Sequence, residues 1–169
     1  METNQHTGTG PHHEGIEQQQ HTPPILTEAE AFALLNTEMP HLDQQPTVKS
    51  AAACLATILQ SNAWVQPQLA HLHGLLKRVL LRAAARYLLL EKRRNRALDP
   101  VANFHLQNGA AVLSLNWQSD MSELGLARSF GICVNYVYDT DQQVHENNKM
   151  YILDHRINSS DEVIKLLEL

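Results

Sequence analysis

His105 is the side chain whose type and neighbours best suit it to moving a proton. An imidazole with an ordinary pKa near about 6.5 is available as both acid and base close to neutrality. It sits in the run Asp99-Pro100-Val101-Ala102-Asn103-Phe104-His105-Leu106-Gln107-Asn108-Gly109-Ala110. Pro100 reads as extended or turn backbone and Asn108-Gly109 as a tight turn, which places His105 on irregular chain at the mouth of a strand. Loops held by a rigid scaffold commonly carry functional groups. A plainer reading fits the same residues: the ring packs and hydrogen-bonds within the turn. Taken alone, the segment leaves both open.

The elements that must position this segment follow from periodicity. Thr27 and Glu30 form a capping-box signature, and Ala31, Leu34 and Leu35 carry a short amphipathic helix that should stop before Pro40. A second helix is expected over 47–61, with Ala51, Leu55, Ile58 and Leu59 on one side and Trp64 in the break that follows. After Pro67, apolar residues from Leu69 to Leu90 recur at three- and four-residue spacing, predicting one long helix that Leu98-Asp99-Pro100 ends. The period then changes. Residues 111–117 alternate as a strand with Leu113, Leu115 and Trp117 on one face, and 132–138 read as a second strand. Between them lies a short helix over 122–129. Residues 139–148 read as a polar loop, 150–153 as a short extended piece, and 161–167 as a final helix with Ser160 as its cap.

Composition bounds the rest. A chain of 169 residues has room for one domain, expected over 25–169 after a disordered polar tail over 1–24 that is rich in Gln, His, Gly and Thr. No apolar run approaches the length of a membrane span. The net charge of −5 argues against nucleic acid as a partner. Charge is uneven, with eight basic residues against one acid, Glu91, between Lys77 and Arg96. Arg78, Arg82 and Arg86 form a helical stripe, read mainly as a solvated face paired with acids and otherwise as a surface for phosphates. Cys54 and Cys133 make no C-x-x-C pair, so neither a disulfide framework nor a zinc site is suggested, and a reducing, intracellular compartment is expected. His71 and His73, two apart on a helix, make a poor metal pair. No targeting signal is visible: the first residues lack basic and apolar character, and Leu167-Glu168-Leu169 is not the peroxisomal signal.

The run from Arg86-Tyr87-Leu88 through Glu91-Lys92-Arg93-Arg94 and Ala97 to Ala110 resembles the C-terminal catalytic-domain signature of malonyl-CoA decarboxylases. The resemblance continues through Leu115-Asn116-Trp117, Asp120-Met121-Ser122, Gly125-Leu126, Ser129-Phe130-Gly131 and Val134-Asn135-Tyr136-Val137-Tyr138, and extends over roughly 67–169. It implies a cofactor-independent lyase that converts malonyl-CoA to acetyl-CoA and carbon dioxide. It also implies an α+β fold, N-terminal helices followed by a small mixed sheet, similar to the C-terminal part of an acetyltransferase (GNAT) domain. In the family the histidine of Asn-Phe-His-Leu, here His105, is a catalytic acid, and the second tyrosine of Asn-Tyr-x-Tyr, here Tyr138, lies at the active site. The chemistry agrees, because loss of carbon dioxide leaves a thioester enolate that needs hydrogen-bond donors and then a proton at C2. Asn103 and Asn108 are further amide donors beside His105, with turn formation a second duty for Asn108. Mitochondrial, peroxisomal and cytoplasmic locations all occur in the family.

One departure accompanies the match. Family members draw a catalytic serine, an upstream glutamate and much of the CoA-binding chain from segments before the long helix, and no counterpart is found here. Ser50 and Ser61 do not match the serine segment. The alternative function is therefore a truncated, non-catalytic homologue that binds an acyl-CoA or acts as an interaction module, with a homologous chain completing the fold as its partner.

Overall fold

Thr27 and Glu30 exchange reciprocal hydrogen bonds: the Glu30 N–H donates to Thr27 Oγ1 and the Thr27 N–H to Glu30 Oε2, each at 3.1 Å. This box satisfies two donors that a helix start otherwise leaves open, and it begins α1, Glu28–Glu38, in a computed structural model that describes residues 24–38, 48–61 and 63–168. Apart from Pro24, the expected tail lies outside the described residues. Helix α2, Val48–Gln60, packs on α1 and buries Ala51, Leu55 and Ile58, with Leu59 partly buried against the same core. Trp64 is wholly buried in the break that follows and meets Trp117 at 5.4 Å between ring centroids. The expected single long helix divides in two. Pro67–Leu72 forms a 3-10 turn, and α3 runs from His73 to Leu89, burying Leu76, Val79, Leu80, Ala85 and Leu88.

The basic stripe on α3 is a clamp. Arg82 donates to both Glu30 oxygens, at 2.8 and 3.2 Å, and Arg86 pairs with Glu91 at 3.1 Å. Burial alone would raise the Glu30 carboxyl. Hydrogen bonds from Arg82 and from the Thr27 backbone, with the Arg82 charge, outweigh it and hold the group below its usual value. The stripe is thus paired with acids, and Arg82 and Arg86 are engaged within the chain.

After α3 the chain makes a feature absent from the sequence reading, the hairpin β1 (Lys92–Arg93) to β2 (Arg96–Ala97). Its turn places Arg94 and Asn95 at φ 52° and 62° without a glycine. Then comes α4, Pro100–Gln107, where a turn was expected. Asp99 Oδ1 accepts the Ala102 N–H at 2.7 Å, and Pro100 stands at the first helical position, where its missing N–H costs nothing. His105 is therefore helical and not on irregular backbone.

Strand β3, Ala111–Asn116, pairs antiparallel with β4, Cys133–Val137, around α5, Glu123–Ser129, whose N-cap is Ser122. The register slips between Val112 and Ser114. This bulge throws Leu113 outward at 45% exposure while Val112 is buried, so of the expected apolar face Leu115 and Trp117 meet the core and Leu113 does not. Among the described residues the expected mixed sheet takes the form of two separate antiparallel pairs, with a parallel bridge from Val112 to Ser159. The expected polar loop and extended piece are one helix, α6, Asp141–Leu153, with Thr140 Oγ1 accepting the Gln143 N–H. Its stability rests on a polar seam: Asn147 Oδ1 accepts from Gln143 and Asn158 while Asn147 Nδ2 donates to Gly109 O. Helix α7, Asp161–Lys165, capped by Ser160, closes the fold as expected. The core joins Leu34, Leu76 and Val79 to Leu106, Val112, Tyr151 and Val163.

Candidate functional site

Helix α4 is short, and its neighbours fix its position. Ala102 and Leu106, four apart, face the core. Tyr151 of α6 ties the adjoining turns together: its hydroxyl donates to Asn103 Oδ1 at 2.7 Å and accepts from the Ala97 N–H at 2.8 Å. At the far end, Asn147 Nδ2 holds Gly109 O at 3.0 Å and Asn148 Nδ2 reaches Gln107 O. Gly109 has φ 83°, and a Cβ there would lie 2.2 Å from Val144 O, so the turn out of α4 and the start of α6 approach as closely as glycine allows.

These constraints bring His105 against β4. Residues 136 and 138 project from one face of the strand, since side chains alternate with period two. The His105 ring stacks on Tyr136 with centroids 4.3 Å apart and planes inclined by 15°. Its edge meets Tyr138, whose hydroxyl lies 2.9 Å from Nδ1. Among the described residues the second ring nitrogen, Nε2, has no hydrogen-bond partner. The ring is half-buried and Tyr138 is 46% exposed, so the pair opens to solvent instead of being sealed in apolar packing. Burial, then the charges of Asp99 and Tyr138, push the Tyr136 phenol well above its ordinary range, and its ring is neutral near neutral pH.

The four residues singled out from the sequence thus divide. His105 and Tyr138, 33 positions apart, are in contact. Asn103 lies on the same helix, but its Oδ1 is engaged by Tyr151 and by Gln107 Nε2. Asn108 donates from Nδ2 to Phe104 O at 2.9 Å and forms the C-cap of α4, the turn-forming duty foreseen for it. Sequence reasoning missed Tyr136 and Tyr151. Tyr136 carried a signal, because two tyrosines at i and i+2 on a strand share a face; Tyr151 lay in a stretch read as extended and carried none.

Chemically, the arrangement can hold a proton and aim it. With Nδ1 bound by the Tyr138 hydroxyl, Nε2 is the ring nitrogen left to face a ligand. A cleft of about 240 Å³ lies beside β4, lined by Val137, Asp139, Asn147 and Ser160 among others. By strand alternation Val137 and Asp139 project from the face opposite His105. Among the described residues no helix is long and apolar enough to cross a membrane.

The family profile described as the malonyl-CoA decarboxylase C-terminal domain matches residues 17–169. Mitochondrial malonyl-CoA decarboxylase of Mus musculus is 40% identical over 113 residues, which is 67% of this chain and 22% of that protein. The Anser anser anser protein of the same name is 38% identical over 121 residues, 72% of this chain and 23% of its own length. Among solved structures, malonyl-CoA decarboxylase from Rhodopseudomonas palustris superposes with a TM-score of 0.63 at 33% identity, covering 80% of this chain and 30% of that one. The Agrobacterium vitis enzyme gives 0.63 at 27% identity, with 83% and 33% covered. The chain therefore spans less than a quarter of these curated relatives and about a third of the solved chains.

Proposed function

Since this chain belongs to the malonyl-CoA decarboxylase C-terminal domain family, we propose that it takes part in converting malonyl-CoA to acetyl-CoA and carbon dioxide, with His105 as the acid. The bond between C2 and the carboxylate breaks, carbon dioxide leaves, and the electron pair remains as an enolate on the thioester. The His105 imidazolium then delivers its Nε2 proton to C2. Tyr138 holds Nδ1 and keeps that proton on the open side of the ring. Asn103 and Asn108 complete the proposed set as amide donors to substrate, each through Nδ2, which carries two hydrogens. The observation that carries the reading is the 2.9 Å contact of Nδ1 with the Tyr138 hydroxyl beside an unengaged Nε2.

Residues 25–169 form the family's C-terminal domain, and β3–β4 corresponds to the C-terminal part of a GNAT-like sheet. This correspondence is supported by β4, which among the described residues pairs on one side only. Relatives named as mitochondrial enzymes support an intracellular, mitochondrial setting.

The test is turnover. Purified chain incubated with malonyl-CoA should release acetyl-CoA, and His105→Ala should lower the rate by roughly 10²–10⁴-fold. Equal rates in the two proteins refute the assignment. A second reading, an interaction module that docks on a homologous chain, is favoured by the exposed stripe of Leu98, Val101 and Phe104, which are 44, 58 and 62% exposed. It predicts that adding a full-length homologue shifts the sedimentation of this chain, and that Phe104→Ser abolishes the shift.

A further inference from the structure

We propose that Tyr136 is a positioning residue whose ring face sets the plane of the His105 imidazole, so that Nε2 points to where a substrate binds. The proposal rests on the decarboxylase reading only for its kinetic consequence. An imidazole on a helix has two rotatable bonds, and a single hydrogen bond at its edge leaves the ring free to swing about that contact. Tyr138 provides the edge contact at Nδ1, and Tyr136 provides the face contact, 4.3 Å away with planes within 15°. Together the two remove both freedoms. They come from one strand face, two residues apart, so one placement of β4 relative to α4 sets both at once.

The two tyrosines differ in how firmly they are held. Tyr138 lies beyond the last residue of β4 and is 46% exposed. Tyr136 lies within the strand, opposite the fully buried Val112, and packs against the core. The platform is therefore the fixed part and the edge contact the mobile one. A tyrosine phenol is protonated near neutral pH even at its ordinary value of about 10, and burial raises it further, so the platform carries no charge of its own there. The titratable groups around Tyr136 include His105 on its ring face, Tyr138 just past the end of β4 and Asp99 at the head of α4.

Nuclear magnetic resonance of the full chain tests the stack without reference to turnover. Ring protons of His105, assigned by their disappearance in His105→Gln, should lie upfield of their position in the unfolded chain because they sit over an aromatic face. Wild-type resonances at the unfolded position would overturn the proposal by themselves. Tyr136→Phe should keep the displacement, since the ring remains. Tyr136→Leu, with Tyr136→Met as its replacement should Leu not fold, should abolish the displacement and lower kcat roughly 10²-fold at unchanged KM. Tyr138→Phe should leave the displacement in place. A displacement lost equally in Tyr136→Phe assigns the effect to the hydroxyl and refutes the platform, as does Tyr136→Leu with unaltered His105 resonances. Wild-type chain without turnover would refute the proposed reaction, and the resonances would still decide the platform.

Discussion

Replacing Gly109 with alanine tests whether the α4–α6 junction holds the site together. The added Cβ would lie 2.2 Å from Val144 O and 2.7 Å from Val144 Cγ1, the first a backbone atom that no rotamer change can move. Relief requires the turn and the start of α6 to separate by about 1 Å, given that non-bonded carbon contacts settle near 3.5 Å. The φ of 83° adds strain of about 1–2 kcal/mol for a residue with a side chain. Separation also stretches the 3.0 Å bond from buried Asn147 to Gly109 O, and an unsatisfied buried group costs about 1–3 kcal/mol. The combined loss of about 2–5 kcal/mol corresponds to a fall in Tm of about 4–20 °C for a chain of this size. Gly74→Ala is the control, because nothing lies within 4 Å of its Cβ and it stands on α3. Alanine there should raise stability by about 0.4–1 kcal/mol. Thermal melts followed by circular dichroism read both variants, and a Gly109→Ala melt within about 2 °C of wild type would refute the close-approach argument.

Glu30 gives a pH signature. Its folded carboxyl titrates below the unfolded value, so its contribution is complete above the ordinary carboxylate range and disappears as pH falls through the folded value. Urea midpoints taken from neutral pH downwards should decline less steeply in Glu30→Gln than in wild type. Arg82→Met removes the nearest charge partner of Glu30, leaving it Arg78 at 3.8 Å and the Thr27 N–H, and should cost about 1.5–3 kcal/mol in chemical denaturation. Asp99→Ala removes the α4 cap and should lower stability by about 0.5–2 kcal/mol in the same assay. Tyr151→Phe severs the bridge between Ala97 and Asn103, and hydrogen exchange should show the α4 amides opening more readily.

The parts legible in the sequence are those where local chemistry decides the structure. The Thr27–Glu30 box, the Ser160 cap and the apolar spacing of α2 and α3 each fix an element from within it. Misreadings arose where one residue serves two opposite structures. Asp99-Pro100 opens a turn or a helix with equal ease, and only the Ala102 N–H on Asp99 shows which. Helix α6 lacked an apolar stripe because Asn147 contacts replace part of the packing, and those partners lie at Gly109 and Asn158, beyond any local window. The bulge between Val112 and Ser114 put Leu113 out of phase with Leu115, an insertion that alternation cannot register. Within the site, His105 could be named from its type, and Tyr138 from family resemblance. Their contact, and the Tyr136 face between them, depends on how α4 lies against β4.

Strand β4 bears on how this protein behaves in a test tube. Among the described residues it hydrogen-bonds only to β3, which leaves a row of backbone donors and acceptors along its second side. The stretch Ile132-Cys133-Val134-Asn135-Tyr136-Val137-Tyr138 has no charge, proline or glycine, the composition from which stacked intermolecular sheets grow. Concentrated samples should therefore associate through this border. Lysine at the exposed Asn135 would act as a gatekeeper, slowing light-scattering growth on storage while leaving Tyr136 and Tyr138 untouched.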